Sequence, residues 1–141
     1  LEDSKSEYKL DQQVGYLLRL AVQRHSTLFQ EVVPLGLTPT QFAALVKLAE
    51  RGACSQNELG RRTAMDVSTI KGVVERLRKK GLVEVNSDPN DKRRTILSIP
   101  RTQAKIVPDL LEAGEKISNL TLSPLSASEK KTFLRLLNKL S

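Results

Sequence analysis

The sequence predicts a mostly α-helical chain carrying one small β-hairpin, and three observations predict it. Apolar residues recur at helical spacing in stretch after stretch. Between positions 82 and 99 the period changes to that of strands, around the turn cluster Ser87-Asp88-Pro89-Asn90-Asp91. Helix-start signals stand at Thr38, Ser55, Asp66 and Ser126, three of them with Gln or Glu three residues on.

The elements follow in order. Leu1 to Leu10 is polar and expected to fray. A first helix over 11–33 carries Val14, Leu17, Leu18, Ala21, Leu28, Phe29 and Val32 on a wide stripe, and Pro34 and Gly36 end it. Thr38-Pro39-Thr40-Gln41 opens the second helix with a capping Thr, a Pro at the first helical position and a Gln that closes a capping box. Phe42, Leu45, Val46 and Ala49 form its buried face, and Gly52 stops it. Ser55-Gln56-Asn57-Glu58 reads as another capping box, for a short third helix anchored by Leu59 and running to about Thr63. Asp66 caps the fourth helix, where Ile70, Val73, Val74 and Leu77 make an i, i+3, i+4, i+7 stripe closed by Gly81. Leu82, Val83 and Val85 lead into the turn, and Thr95 to Ile99 return, giving a hairpin with a polar, basic tip. Pro100 is expected to begin a helix reaching about Leu122, with Ile106, Val107, Leu110, Leu111, Ala113, Ile117 and Leu120 on its apolar side. Pro124 breaks it. Ser126-Ala127-Ser128-Glu129 caps a last helix carrying Phe133, Leu134, Leu136, Leu137 and Leu140.

Composition narrows the function. A chain of 141 residues, 39% hydrophobic and 28% charged, can bury one core as a soluble globular protein. Aromatics make up 4% and Trp is absent, which argues against an aromatic-lined cofactor cavity and against a base-stacking RNA platform. Lys and Arg outnumber Asp and Glu by 23 to 16, for a net charge of +7, which favours nucleic acid as partner ahead of an anionic membrane. The single cysteine, Cys54, forms no intrachain disulfide and suits a reducing cytoplasm. No apolar run approaches the ~20 residues of a membrane span, and no signal peptide is evident. There is no P-loop, no dinucleotide glycine fingerprint and no Ser/His/Asp motif, so no enzyme is expected. One His and one Cys are too few for a zinc site, and no metal or cofactor is expected.

The order helix, short helix, helix, hairpin is a winged helix-turn-helix, here flanked by N- and C-terminal helices. The fourth helix needs one face for its own domain and another narrow enough for a major groove roughly 12 Å wide. Ser68, Thr69, Lys71, Gly72, Glu75 and Arg76 lie off its apolar stripe. Small hydroxyl side chains near its start let the backbone approach base edges, and Lys71 can reach a guanine or a phosphate. Arg76, Arg78 and Lys79 are better placed for the phosphate backbone. Helix starts bind phosphate through free amides, which makes Thr38, Thr40, Ser55, Gln56 and Asn57 candidates too. Lys92-Arg93-Arg94 puts three cations on the hairpin, where an arginine can enter the adjacent minor groove. Asp91, two residues from Arg93, is placed to hold its guanidinium. From Lys71 to Arg94 eight basic residues face four acidic ones, a net of +4.

On these residues the chain resembles the MarR family of bacterial regulators, from Thr38 to about Leu97. The segments that carry the resemblance are Thr38-Pro39-Thr40-Gln41-Phe42, Ser55-Gln56-Asn57-Glu58-Leu59, Asp66 to Leu77, Lys79-Lys80-Gly81-Leu82-Val83, and Asp88 to Arg94 with its Asp-x-Arg wing at Asp91 and Arg93. Pro100 and Gln103 depart from the Leu-Thr-x-x-Gly usual after the second wing strand, so the resemblance leaves the start of the fifth helix open. It implies a homodimer on a pseudo-palindromic double-stranded operator, often a repressor released by a small ligand. The winged lobe would then be 38–100, with 11–33 and 101–141 as dimerisation helices. It also implies an effector site near the dimer helices. Tyr16, Arg19, Gln23 and His25 are the tentative contacts, Arg19 or Arg24 pairing an acid and Tyr16 packing on a ring, for an aromatic or anionic effector such as an aromatic acid or its thioester.

Two other readings stand beside this one. A winged helix used only for protein contact would show exposed apolar residues on the fourth helix. A redox sensor at Cys54 would need an accessible, electropositive thiol, whereas its place beside the Ser55 cap suits inert packing.

Overall fold

The computed structural model describes residues 7–141, so the fraying expected for Leu1 to Leu10 lies outside the described residues as far as Ser6. The chain divides into two compact units, one of residues 33–116 and one joining the chain through Val32 to Ile117–Ser141.

The first of these units holds helices α2 (Pro39–Arg51), α3 (Gln56–Arg62) and α4 (Val67–Lys79), strands β1 (Glu84–Asp88) and β2 (Asp91–Ser98), and most of α5 (Ile106–Thr121). Its core contains Leu45, Leu59, Ile70, Leu77 and Leu110, all fully buried. Each such side chain contributes about 1.5–3 kcal/mol by leaving water. Thr38 caps α2 with a complete capping box, and Gly52 ends it at φ 82°. Ser55 caps α3, but the box expected there is half formed. The Glu58 carboxylate turns instead to Arg61 and Arg62, four residues or fewer along the same helix. A Cβ on Gly60 would stand 3.2 Å from both Ile70 Cγ2 and Met65 O, so a bare Cα there lets α3 lie close on α4. Ala64, in the turn between them, takes the left-handed φ of 55°.

The hairpin is antiparallel, pairing Glu84 with Ser98 and Ser87 with Thr95. Its register then shifts, Asp88 pairing with Asp91, so Lys92, Arg93 and Arg94 bulge out opposite no residue of β1. Cys54 and Leu97 exchange both backbone hydrogen bonds (3.2 and 2.7 Å), which ties the residue before α3 to β2. The helix expected from Pro100 starts later. Arg101–Gln103 is a 3-10 turn, and α5 begins at Ile106. The proline it accommodates is Pro108, in its first turn, where no amide partner is needed.

The second unit contains α1 (Val14–Val32), the end of α5, and α6 (Ala127–Lys139). Helix α1 starts three residues later than expected because Gln13 is extended after a 3-10 turn at Leu10–Gln12. Arg24 of α1 donates to the carbonyls of Leu120 (2.9 Å) and Thr121 (2.5 Å), satisfying the free end of α5. Ser126 caps α6 with a complete box. Val14, Leu17, Leu20, Phe133, Leu134, Leu136 and Leu140 stay exposed. Among the described residues no helix is long and apolar enough to cross a membrane.

Candidate DNA interface

Helix α4 turns Ile70, Val73, Val74 and Leu77 into the core and leaves Ser68, Thr69, Lys71, Glu75 and Arg76 exposed, with Gly72 half-buried. Asp66 Oδ1 accepts the Thr69 N–H at 2.8 Å and the Ser68 hydroxyl at 3.0 Å. The Thr69 amide, then the Thr69 and Ser68 hydroxyls, hold this carboxyl below the usual range. The Arg76 guanidinium lies 3.6 Å from where a Gly72 Cβ would be, so it runs back along the helix over the bare glycine.

Electrostatics leave this face cationic. The ion pairs among the described residues are Lys47–Glu50, Glu58–Arg61 and Glu58–Arg62. None involves Lys71, Arg76, Arg78, Lys79, Lys92, Arg93 or Arg94. Lys80 is committed elsewhere: its ammonium donates to the carbonyls of Leu35 (3.2 Å) and Gly36 (3.5 Å) and ties α4 to the turn before α2. Arg61 hydrogen-bonds Glu58 and holds its carboxyl below the usual range.

At the other helix starts, Thr38 Oγ1 accepts the Gln41 amide at 3.3 Å and lies 3.3 Å from Thr40 Oγ1. Both threonines are exposed. Ser55 Oγ accepts the Glu58 amide at 3.2 Å; Gln56 is half-buried and Asn57 exposed. On the wing, Asp91, Lys92, Arg93 and Arg94 are all exposed and belong to β2 rather than to a tip loop. Asp91 does not hold the Arg93 guanidinium. Its Oδ1 accepts the Arg93 backbone N–H at 3.0 Å, and Asp88 Oδ1 takes the Asn90 N–H at 2.9 Å in the same way. These are side-chain turns that shape the wing backbone.

Sequence reasoning passed over Val67. It opens α4 with 72% of its surface exposed, an apolar group suited to a thymine methyl. Its signal was one valine a helical turn before Ile70, which reads equally well as core. Cys54 is buried, and burial pushes its thiol up despite nearby Arg62, so the accessible, electropositive thiol of a redox sensor is absent.

The four tentative effector contacts do not converge. In the second unit, α1, α6 and the end of α5 form an open pocket of about 320 Å³, lined by Leu18, Ala21, Val22, His25, Thr121, Phe133 and neighbours, several of them solvent-exposed apolar side chains. His25 reaches it, with Nδ1 2.8 Å from the Thr121 hydroxyl. Tyr16 and Arg19 instead stack on each other at 5.3 Å and, like Gln23, do not line it. Arg24 is engaged in capping α5.

Residues 37–95 match the model of the MarR family. Over 134 residues the chain is 39% identical to the HTH-type transcriptional repressor NicR of Pseudomonas putida, covering 94% of this chain and 85% of that one. The crystal structure of a probable transcriptional regulator from Pseudomonas aeruginosa is 48% identical, with a TM-score of 0.88 over 94% of this chain and all of that one. BpsR of Bordetella bronchiseptica, solved to explain regulation of its DNA binding by 6-hydroxynicotinic acid, is 35% identical with a TM-score of 0.86, covering 96% of this chain and 97% of its own. A winged helix-turn-helix with these likenesses belongs to the MarR family of transcription regulators.

Proposed function

We propose that the protein is a homodimeric, sequence-specific double-stranded DNA-binding repressor, released from a pseudo-palindromic operator by a small aromatic acid. One observation carries the DNA part. The outward face of α4 and the bulged wing present exposed hydroxyls beside cations that pair with no carboxylate among the described residues. Val67 is the exposed large apolar residue on that helix, which leaves little for a protein-contact reading. Dimerisation is supported by the apolar side chains of α1 and α6 that one chain leaves in water. A two-fold pair presents two copies of α4 to half-sites about 34 Å apart. The reading involves no catalytic step and places the protein in the cytoplasm.

The ligand part is supported by BpsR, whose DNA binding is regulated by 6-hydroxynicotinic acid, and by the His25 imidazole at the open pocket, part of whose apolar lining is shared with the face offered for dimerisation. An effector acts only as far as it prefers the conformation that fits the operator less well. The test is fluorescence anisotropy on a duplex selected by the purified protein, with and without 6-hydroxynicotinic acid, beside a thermal-shift assay. The expected result is stabilisation of the protein and loss of operator affinity. Stabilisation with unchanged DNA affinity would overturn the release mechanism. Affinity no higher than for random duplex would overturn the DNA reading.

A further inference from the structure

We propose that Lys80 is a positioning residue for DNA binding: its ammonium straps the turn at Leu35 and Gly36 to the end of α4, and so fixes the segment from which α2 starts. This rests on the DNA-binding reading above and assigns one of its cations to the protein's own backbone rather than to phosphate.

Three cations stand in a row where α4 ends, Arg78, Lys79 and Lys80, and their sequence alone offers all three to the DNA backbone. Lys80 is the C-cap residue, and its N–H donates to the Arg76 carbonyl at 3.2 Å, so its backbone is fixed to the helix. Gly81 follows at φ 74°, and Leu82 and Val83 then enter the core. The Lys80 side chain is exposed and pairs with no carboxylate among the described residues. Its Nζ donates instead to the Leu35 carbonyl at 3.2 Å and the Gly36 carbonyl at 3.5 Å. An ammonium carries three N–H groups, enough for both acceptors at once.

The turn has few other supports. Leu35 and Gly36 both take the left-handed φ of 62°. Glycine adopts it freely, whereas the Cβ of a leucine crowds the backbone there. The Leu35 side chain is 53% exposed, so packing contributes little to holding that conformation. The turn's own backbone bond, from the Leu37 N–H to the Pro34 carbonyl, is long at 3.4 Å. Directly beyond it Leu37 is buried in the core, Thr38 caps α2, and the Thr38 and Thr40 hydroxyls are exposed. The shared apolar core joins α2 to α4 along their length. The strap adds a polar tie at the point where α2 begins, and with it sets the place of the two hydroxyls offered to phosphate.

Salt separates a strap from a phosphate contact. A lysine that neutralises a phosphate releases counterions, so its loss flattens the slope of log affinity against log salt by about one per contact, about two for a two-fold pair. The test titrates a duplex selected by the purified protein over a range of salt, with the wild type, Lys80→Met and Lys80→Arg. Lys80→Met should keep the wild-type slope and lose affinity about fivefold at each salt concentration. Lys80→Arg, whose guanidinium can also donate to two carbonyls, should regain it. In the free protein, amide exchange should quicken in Lys80→Met at Leu37 and Thr38 alone, and return to normal in Lys80→Arg. Acetylation of the wild type, mapped by mass spectrometry, needs no variant: Lys80 should react more slowly than Lys79 in the free protein, and at the same rate with operator bound. A slope flattened by about two in Lys80→Met, or protection of Lys80 by the operator, overturns the proposal and makes Lys80 a phosphate contact. Unchanged affinity and exchange in Lys80→Met overturns it as well. Recovery of no preferred duplex by the wild type overturns the DNA reading and the positioning role with it, whereas exchange at Leu37 tests the strap by itself.

Discussion

Asp91 offers a clean separation of two ways a wing can be held. In the structure its carboxylate oxygen accepts one backbone N–H, that of Arg93, at 3.0 Å. Asp91→Ala removes the acceptor, and Asp91→Asn keeps an oxygen in its place. Both remove the same negative charge from the wing, so their difference isolates the hydrogen bond. One such bond is worth about 0.5–1.5 kcal/mol. With two wings on one operator the alanine variant should bind about 1–3 kcal/mol more weakly than the asparagine variant, roughly 5- to 150-fold in Kd. Anisotropy titrations at one fixed salt concentration would measure it, since affinity for DNA varies steeply with salt. Equal binding by the two variants would refute the reasoning, because it would mean that charge on the Arg93 guanidinium, and not an acceptor for its backbone, is what Asp91 supplies.

Other outcomes follow from the same structure. Leu77→Ala empties a fully buried position of α4 and should cost about 2–5 kcal/mol in urea unfolding; a loss under 1 kcal/mol would mean that the helix is not seated as described. Ala64→Gly relieves a left-handed residue at φ 55°. Set against glycine's own entropy cost, the net gain should be about 0.5–1 kcal/mol, seen as a higher Tm, and a lower Tm would count against it. Glu58, Asp66 and Glu129 have folded-state pKa values lowered by their hydrogen bonds, which contributes stability above the unfolded carboxylate range near ~4 and loses it as pH falls through the folded values. Circular dichroism should show Tm falling below about pH 4, and less steeply in Asp66→Asn. Lys71→Ala should alter the preferred central sequence by ~1–3 kcal/mol if it contacts a base edge; a uniform loss over all sequences would assign it to phosphate.

What could be read from the chain beforehand was mostly local. A cap and its amide sit three residues apart, so Thr38, Asp66 and Ser126 declared themselves. The α4 stripe was readable because burial on a helix follows a fixed period. Less was readable where one side chain had a choice of partners. Glu58 could close the box on Ser55 or pair with Arg61 and Arg62, and the arginines won. Asp91 could take a guanidinium or a backbone amide, and the tighter turn won. The wing's register shift depends on pairing between strands, which alternation alone does not set. Arg24 on the end of α5 and Lys80 on the turn at Leu35 are contacts between residues distant in sequence, with no local signal.

The claim that α4 and the wing together grip duplex DNA as a two-fold pair is tested most directly by hydroxyl-radical footprinting on a selected operator, with the wild type and with Arg93→Ala/Arg94→Ala. Two protected patches should appear on one face of the duplex, about 10 base pairs apart, with flanking minor-groove protection that disappears in the double variant while the central patches persist. A single protected patch, or flanks indifferent to both arginines, would contradict it.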